Sequence, residues 1–179
     1  MKVRKLKKVE NRKLWERIFD EDTPEFLAYY YSMKTEDNEI YAVEDGGKIR
    51  AMLHLNPYRL QIGDKTADCH YIVAVATDEN YRKRGFMAAL LKTAVKDMHD
   101  MGEPFTFLMP AAEAIYRPHG FRFIYNQNWE MVKGKNKRNQ MWDIKKAEKA
   151  DCAGMAEFAN GLLKERYDIY ALRDAHYYQ

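Results

Sequence analysis

Cysteine is nearly absent. The chain holds two, Cys69 and Cys152, too few for the bridges that hold small secreted folds together. Cys69 falls in a stretch that reads as a strand, where a thiol serves as a small core filler. Cysteines and histidines do not cluster at metal-ligand spacing, so no metal is expected. No apolar run approaches the length of a membrane span, so no membrane partner is expected. The basic N-terminus, with Lys2, Arg4, Lys5, Lys7 and Lys8, has no apolar core behind it of the kind a secretory signal needs. Excess charge is small too. A net charge of +3 over 179 residues lacks the basic excess of a nucleic-acid binder. The one basic run, Lys133 to Gln140, has no interleaved aromatic residue on which a base would stack. These absences leave a cytoplasmic globular chain, long enough for one domain and a remainder.

What is present centres on Val73 to Met87. It opens as an apolar, β-branched run, which reads as a buried strand. It turns basic at Arg82, Lys83 and Arg84, reaches Gly85, and passes straight into a helical pattern. Phe86, Met87, Leu90, Leu91, Ala94, Val95 and Met98 recur at three and four, so a helix over about Arg84 to Asp100 has one apolar face. A strand, a basic glycine turn and a helix N-terminus outline an anion site. The first helical amides have no partner, the helix dipole adds positive charge, and glycine admits close approach.

The flanks predict an α+β domain. Glu10 to Phe19 carries Leu14, Trp15, Ile18 and Phe19 at helical spacing. Thr23 is a good cap for a second helix, with Pro24 at its first position and Glu25 behind it. Its inner face is expected to be Phe26, Leu27, Tyr30 and Tyr31. Between the helices, Asp20-Glu21-Asp22 reads as a solvated connector or as an acidic rim for a cationic substrate. Strands follow over Ile40 to Glu44 and Lys48 to Leu55, joined at Gly46-Gly47. In the second, Ile49, Ala51, Leu53 and Leu55 are expected inside, and Arg50, Met52, His54 and Asn56 on a wetter face. Pro57 is expected to end it. Strands Arg59 to Ile62 and Lys65 to Ala76 flank Gly63-Asp64. Later come Phe105 to Met109, a short helix at Ala111 to Arg117, and strands Phe121 to Tyr125 and Asn128 to Lys133.

Arg82-x-x-Gly85-x-Met87 behind Val75-Ala76-Thr77 resembles the acetyl-CoA motif of the GNAT N-acetyltransferases. Met87 replaces the usual small residue, and Glu79 stands where proline is common. A second signature, Ala112-x-x-x-Tyr116-x-x-x-Gly120-Phe121, resembles the short helix and turn that hold a tyrosine beside the CoA sulfur in that family. The resemblance runs from Met1 to about Lys133. The shape of Ile115 to Phe121 with the Val73 to Ala76 strand is most similar to the Eis-type branch. It implies a mixed central sheet of six to seven strands flanked by helices, with acetyl-CoA as co-substrate. By that resemblance Val73, Val75 and Ala76 meet the pantetheine arm. Arg82, Lys83, Arg84, Gly85, Phe86, Met87 and Ala112 complete the cofactor site, and Tyr116 is the general acid for the CoA thiolate. The acceptor is an amine, expected to be cationic. His119, His54, His70 and Glu113 remain open as general bases. A non-catalytic CoA-binding or regulatory module is the alternative.

Residues 134–140 read as a basic linker. Beyond it a strand over Met141 to Lys145 and a helix over Ala150 to Arg166 repeat the opening of the first unit. That helix is expected to turn Met155, Phe158, Ala159, Leu162 and Leu163 inward. An aromatic run, Tyr167 to Tyr178, looks helical. Residues 141–179 therefore read as the start of a second GNAT-like domain, cut short. Their apolar side chains are expected to pack on the first domain or on a second copy of the chain, as a homo-oligomer.

Overall fold

Strand β3, Lys48–Ile62, is the spine of the fold. The computed structural model describes residues 2–7, 10–126, 131 and 145–179. In chain order these form β1 (Val3–Lys5), α1 (Arg12–Ile18), α2 (Pro24–Tyr29), β2 (Glu39–Asp45), β3, β4 (Lys65–Thr77), α3 (Phe86–Asp100), α4 (Glu113–Tyr116), α5 (Cys152–Arg166) and β5 (Ile169–Ala171). The sheet runs β1-β2-β3-β4, all antiparallel, and β5 pairs with the far end of β3.

This is the expected α+β fold with fewer strands: five among the described residues. Phe105 to Met109 contributes one parallel bridge, Phe107 to Tyr71, and no ladder. Phe121 to Tyr125 forms no strand: it has no ladder partner among the described residues, and Phe123, Ile124 and Tyr125 stand exposed. The strands expected at 128–133 and 141–145 and the linker at 134–140 lie outside the described residues, apart from Met131 and Lys145.

Pro57 does not end β3. It pairs with His70, in continuous register. Ile72 sends its amide away from β3 to the Phe107 carbonyl, and His70 sends its own to Glu103. The Pro57 nitrogen therefore points away from β4 as well. It falls in the gap between β2, whose pairing stops at Leu55, and β5, whose pairing starts at Leu60. A missing N–H costs nothing there.

The sheet is covered on both faces. One face packs on α3 through Leu53, Leu55, Ile72, Leu90 and Leu91. The other, expected to be wetter, is sealed by α1 and α2, so Met52 and His54 are fully buried. Thr23 caps α2 as expected, accepting the Phe26 amide at 3.2 Å. The helix then widens into a π-turn, Tyr30–Lys34, which buries Tyr30 and Tyr31 together. Phe26, expected inside, is exposed.

The end of the chain also departs from expectation. The aromatic run is not helical: Ile169–Ala171 takes the free edge of β3, and His176–Tyr178 forms a 3₁₀ turn. In α5 the buried residues are Cys152 and Ala156. Met155, Phe158, Ala159, Leu162 and Leu163 line an open groove instead. That groove is the surface on which the homo-oligomer expectation rests.

Candidate active site

The register of β4 against β3 slips at one point. Met52 faces Ala76 and His54 faces Val73, so Leu53 alone opposes both Ala74 and Val75. This is a β-bulge. Ala74 takes φ +52° there, left-handed backbone that costs an L-residue about 1–2 kcal/mol. On the outer edge, Ile72 donates to the Phe107 carbonyl at 2.9 Å. Beyond that bond β4 and the Phe107 segment part. The outer edge of Val73, Val75 and Ala76 then has no strand partner among the described residues.

The turn after β4 is built on Asp78. Its Oδ1 accepts the Asn80 amide at 3.2 Å, and its Oδ2 accepts from Arg17 of α1 at 2.8 Å and Arg50 of β3 at 3.0 Å. Burial pushes this carboxyl up, but the Asn80 amide and the two guanidiniums outweigh it and hold it below the usual carboxylate range. Arg50 and Arg84 both lie over the Tyr81 ring, at 4.2 and 4.6 Å. The helix starts at Phe86 rather than Arg84, because Gly85 at φ +79° is still outside it. The first helical bond runs from the Ala89 amide to the Gly85 carbonyl, 3.0 Å. The Phe86, Met87 and Ala88 amides thus have no helical partner. A Cβ at Gly85 would meet nothing within 4 Å, so the left-handed backbone requires glycine, not crowding. Arg82, Lys83 and Arg84 are exposed around these amides, with Arg82 3.6 Å from Glu79. Orphan amides, an open glycine and a rim of cations fit a pyrophosphate.

Tyr116 closes α4, the helix that Ala112 precedes in extended backbone. The ring is buried with Val75, Phe86 and Met87 in one apolar cluster, edge-on to Phe121 at 5.9 Å. The structure thus brings four of the expected site residues together; Ala112 stays exposed. The Tyr116 hydroxyl has no hydrogen-bond partner among the described residues. Burial raises its pKa, and the Tyr71 phenol adds to the shift.

Across the sheet, under α1 and α2, lies a polar network that sequence reasoning did not anticipate. Asn11 Nδ2 donates to His54 Nε2, so the neutral ring carries its proton on Nδ1 and donates to the Tyr30 oxygen at 3.1 Å. Tyr30 in turn donates to Asn56 Oδ1 at 3.2 Å. Asn38 Nδ2 also donates to that oxygen at 3.2 Å, and Tyr31 donates to Asn11 at 3.3 Å. Burial pushes the His54 pKa down to about 3, which removes it as a base at neutral pH. Burial raises Tyr30 and Tyr31. Further along the same face Tyr58, Tyr71 and Phe107 pack with ring centroids 5.3–6.0 Å apart.

The other base candidates divide. His70 Nδ1 meets Glu103 at 2.6 Å. Glu113 is paired with Arg117 at 2.9 Å. His119 is half-buried. In the acidic connector, Asp22 accepts the Trp15 indole N–H at 2.7 Å, while Asp20 and Glu21 are exposed. Among the described residues no three His, Cys, Asp or Glu side chains gather as a metal site requires. No helix among them is long and apolar enough to cross a membrane.

A family model for an acetyltransferase (GNAT) domain matches residues 2–124. No curated protein matches the chain. Among solved structures, the chain is similar to a conserved protein of unknown function from Enterococcus faecalis V583, described as a probable N-acyltransferase. The identity is 20% and the TM-score 0.62 over 66% of this chain. That match spans 31% of the Enterococcus chain, about a third of it. The chain is also similar to a transcriptional regulator from Bacillus halodurans C-125, with 15% identity and a TM-score of 0.62 over 73% of this chain and 99% of that one. A third likeness is to glucosamine-6-phosphate N-acetyltransferase from Arabidopsis thaliana: 19% identity, TM-score 0.55, 74% of this chain and 97% of that one. At these identities the structural likenesses establish the fold. The family match covers well over half of the chain, including the bulged strand, the glycine turn and Tyr116, and so the chain belongs to the GNAT acetyltransferase family.

Proposed function

We propose that the protein transfers an acetyl group from acetyl-CoA to a primary amine by direct attack in a ternary complex. The observation that carries this reading is the open edge of β4 beside the Ala74–Val75 bulge, which runs directly into the glycine turn. A strand edge with free backbone groups suits the peptide-like pantetheine arm, and the orphan amides at Phe86, Met87 and Ala88 suit the pyrophosphate. Acetyl-CoA supplies the acetyl group as a thioester. A backbone N–H on the bulged strand is the candidate donor to the oxyanion. Tyr116 holds a proton on its hydroxyl oxygen for the departing thiolate. A phenol is already protonated at neutral pH, and burial raises Tyr116 further, so the hydroxyl enters the reaction carrying its proton. Most of the rate then comes from holding amine and thioester together. The amine arrives as a cation and must lose a proton before it attacks. Within the family, Ile115 to Phe121 and the Val73 to Ala76 strand favour the Eis-type branch.

The test is thiol release from acetyl-CoA with a panel of amines. Cys69 and Cys152 are both buried, so the protein adds little thiol background. Release that depends on an amine supports the reading. CoA binding with no release from any amine would leave a CoA-binding module instead.

A further inference from the structure

Two buried side-chain polar atoms have no hydrogen-bond partner among the described residues: Asn38 Oδ1 and Arg173 Nε. One accepts and the other donates, and leaving either unpaired is costly. Both stand over the same face of β3. Asn38 is tied to Asn56 through its Nδ2. Arg173 arrives from the end of the chain. β5 sets Ala171 opposite Leu60, and Leu172 donates its amide to the Arg59 carbonyl at 2.9 Å. The same register brings Arg173 opposite Tyr58. Asn56 and Tyr58 are two residues apart on one face, about 7 Å.

Arg173 is held in place. Asn160 of α5 donates to its carbonyl at 2.8 Å and accepts its amide at 3.0 Å. The guanidinium donates to the Tyr178 hydroxyl at 2.8 Å and lies 5.1 Å from the centre of the Tyr177 ring. Lys34 Nζ lies 5.8 Å from the centre of that ring. Neither cation is paired with a carboxylate among the described residues. Asp174, the acid next to Arg173, accepts the Tyr177 amide at 2.8 Å. On that face the Tyr58 ring packs edge-on to Tyr71 at 6.0 Å, and Tyr71 stands on β4 two residues before Val73, where the outer edge of the strand opens.

We infer that the acceptor is an amine that also carries an anionic group, a carboxylate or a phosphate, received by Arg173 and Lys34 while Asn38 Oδ1 takes an N–H at the amine end. This rests on the acetyl-transfer reading of the same site. It gives α5 and β5 a role in the reaction, since together they present Arg173 to the acceptor.

The experiment compares matched amines with acetyl-CoA: ethanolamine against O-phosphoethanolamine, and hexylamine against 6-aminohexanoate. The anionic member of at least one pair should have a KM at least tenfold lower, and the pair that shows it separates phosphate from carboxylate. Arg173→Gln and Lys34→Gln should each raise that KM about tenfold, leaving kcat and the uncharged partner's KM unchanged. Arg173→Lys should recover part of the loss. Equal use of both members, with no effect of either glutamine variant, overturns the inference while acetyl transfer stands. If no amine is acetylated, the transfer reading fails first. Calorimetry with O-phosphoethanolamine then decides: binding weakened tenfold in Arg173→Gln supports the anion site, and no binding, or binding unchanged by the substitution, overturns it.

Discussion

Gly85 offers the sharpest test of the turn. Replacing it with Asn or Asp puts nearly the same shape at φ +79°, and both residues tolerate left-handed backbone better than most. Neither Cβ meets an atom within 4 Å. Each variant should therefore lose only about 1 kcal/mol of stability from backbone strain, a fall of about 2–4 °C in Tm for a chain of this size. The two differ by one negative charge. At about 5 Å from a pyrophosphate bearing two charges, that charge costs about 1.7 kcal/mol even at the dielectric of water. Titration calorimetry with CoA should thus show Gly85→Asp binding at least tenfold more weakly than Gly85→Asn, about 1.4 kcal/mol or more. Added salt should shrink the gap. Equal CoA affinities for the two variants, with equal Tm, would remove the turn from the cofactor site.

Tyr116→Phe should leave CoA affinity unchanged and lower kcat about 10²–10⁴-fold, since in the proposed mechanism the hydroxyl acts only as the thiolate leaves; full turnover in single-turnover kinetics would reduce the ring to packing. His54 gives a pH signature. Its folded pKa of about 3 lies below the unfolded value, so the unfolded chain binds the extra proton and stability falls as pH drops below about 6.5, by about 1.4 kcal/mol per unit down to the folded pKa. Urea unfolding at pH 7 and 5 should show this loss in the parent and not in His54→Gln, and parallel losses would refute it. Ala74→Val puts a β-branched residue at φ +52°, so it should lower Tm and weaken CoA together; a variant with the parent's Tm would show that the bulge carries no strain.

The glycine turn was legible because it depends on local chemistry, a positive φ beside three adjacent cations, whereas Tyr116 stood out only through the resemblance of its short helix and turn to the GNAT motif. The bulge was not. Ala74 reads as an ordinary strand residue between Val73 and Val75, and its left-handed angle belongs to the two-against-one register opposite Leu53 of β3, which no local pattern announces. The buried His54 network escaped for a similar reason. Alternation marks one face of β3 as apolar, but says nothing of the helices that seal the other with Trp15, Tyr30 and Tyr31. Pro57 misled because its cost depends on the edge its nitrogen faces. The last residues misled because Ile169–Ala171 becomes a strand only where β3 outruns β2.

The bulge has a consequence for solubility. An unpaired strand edge is a template on which another chain can add a strand. The edge of β4 from Val73 to Thr77 has the apolar, β-branched character that invites this. With Ala74 turned into the left-handed region, successive backbone groups no longer point out at an even strand spacing, and an incoming strand loses its register within two residues. The distortion proposed to receive a ligand's backbone-like arm thus also guards the edge against its own kind.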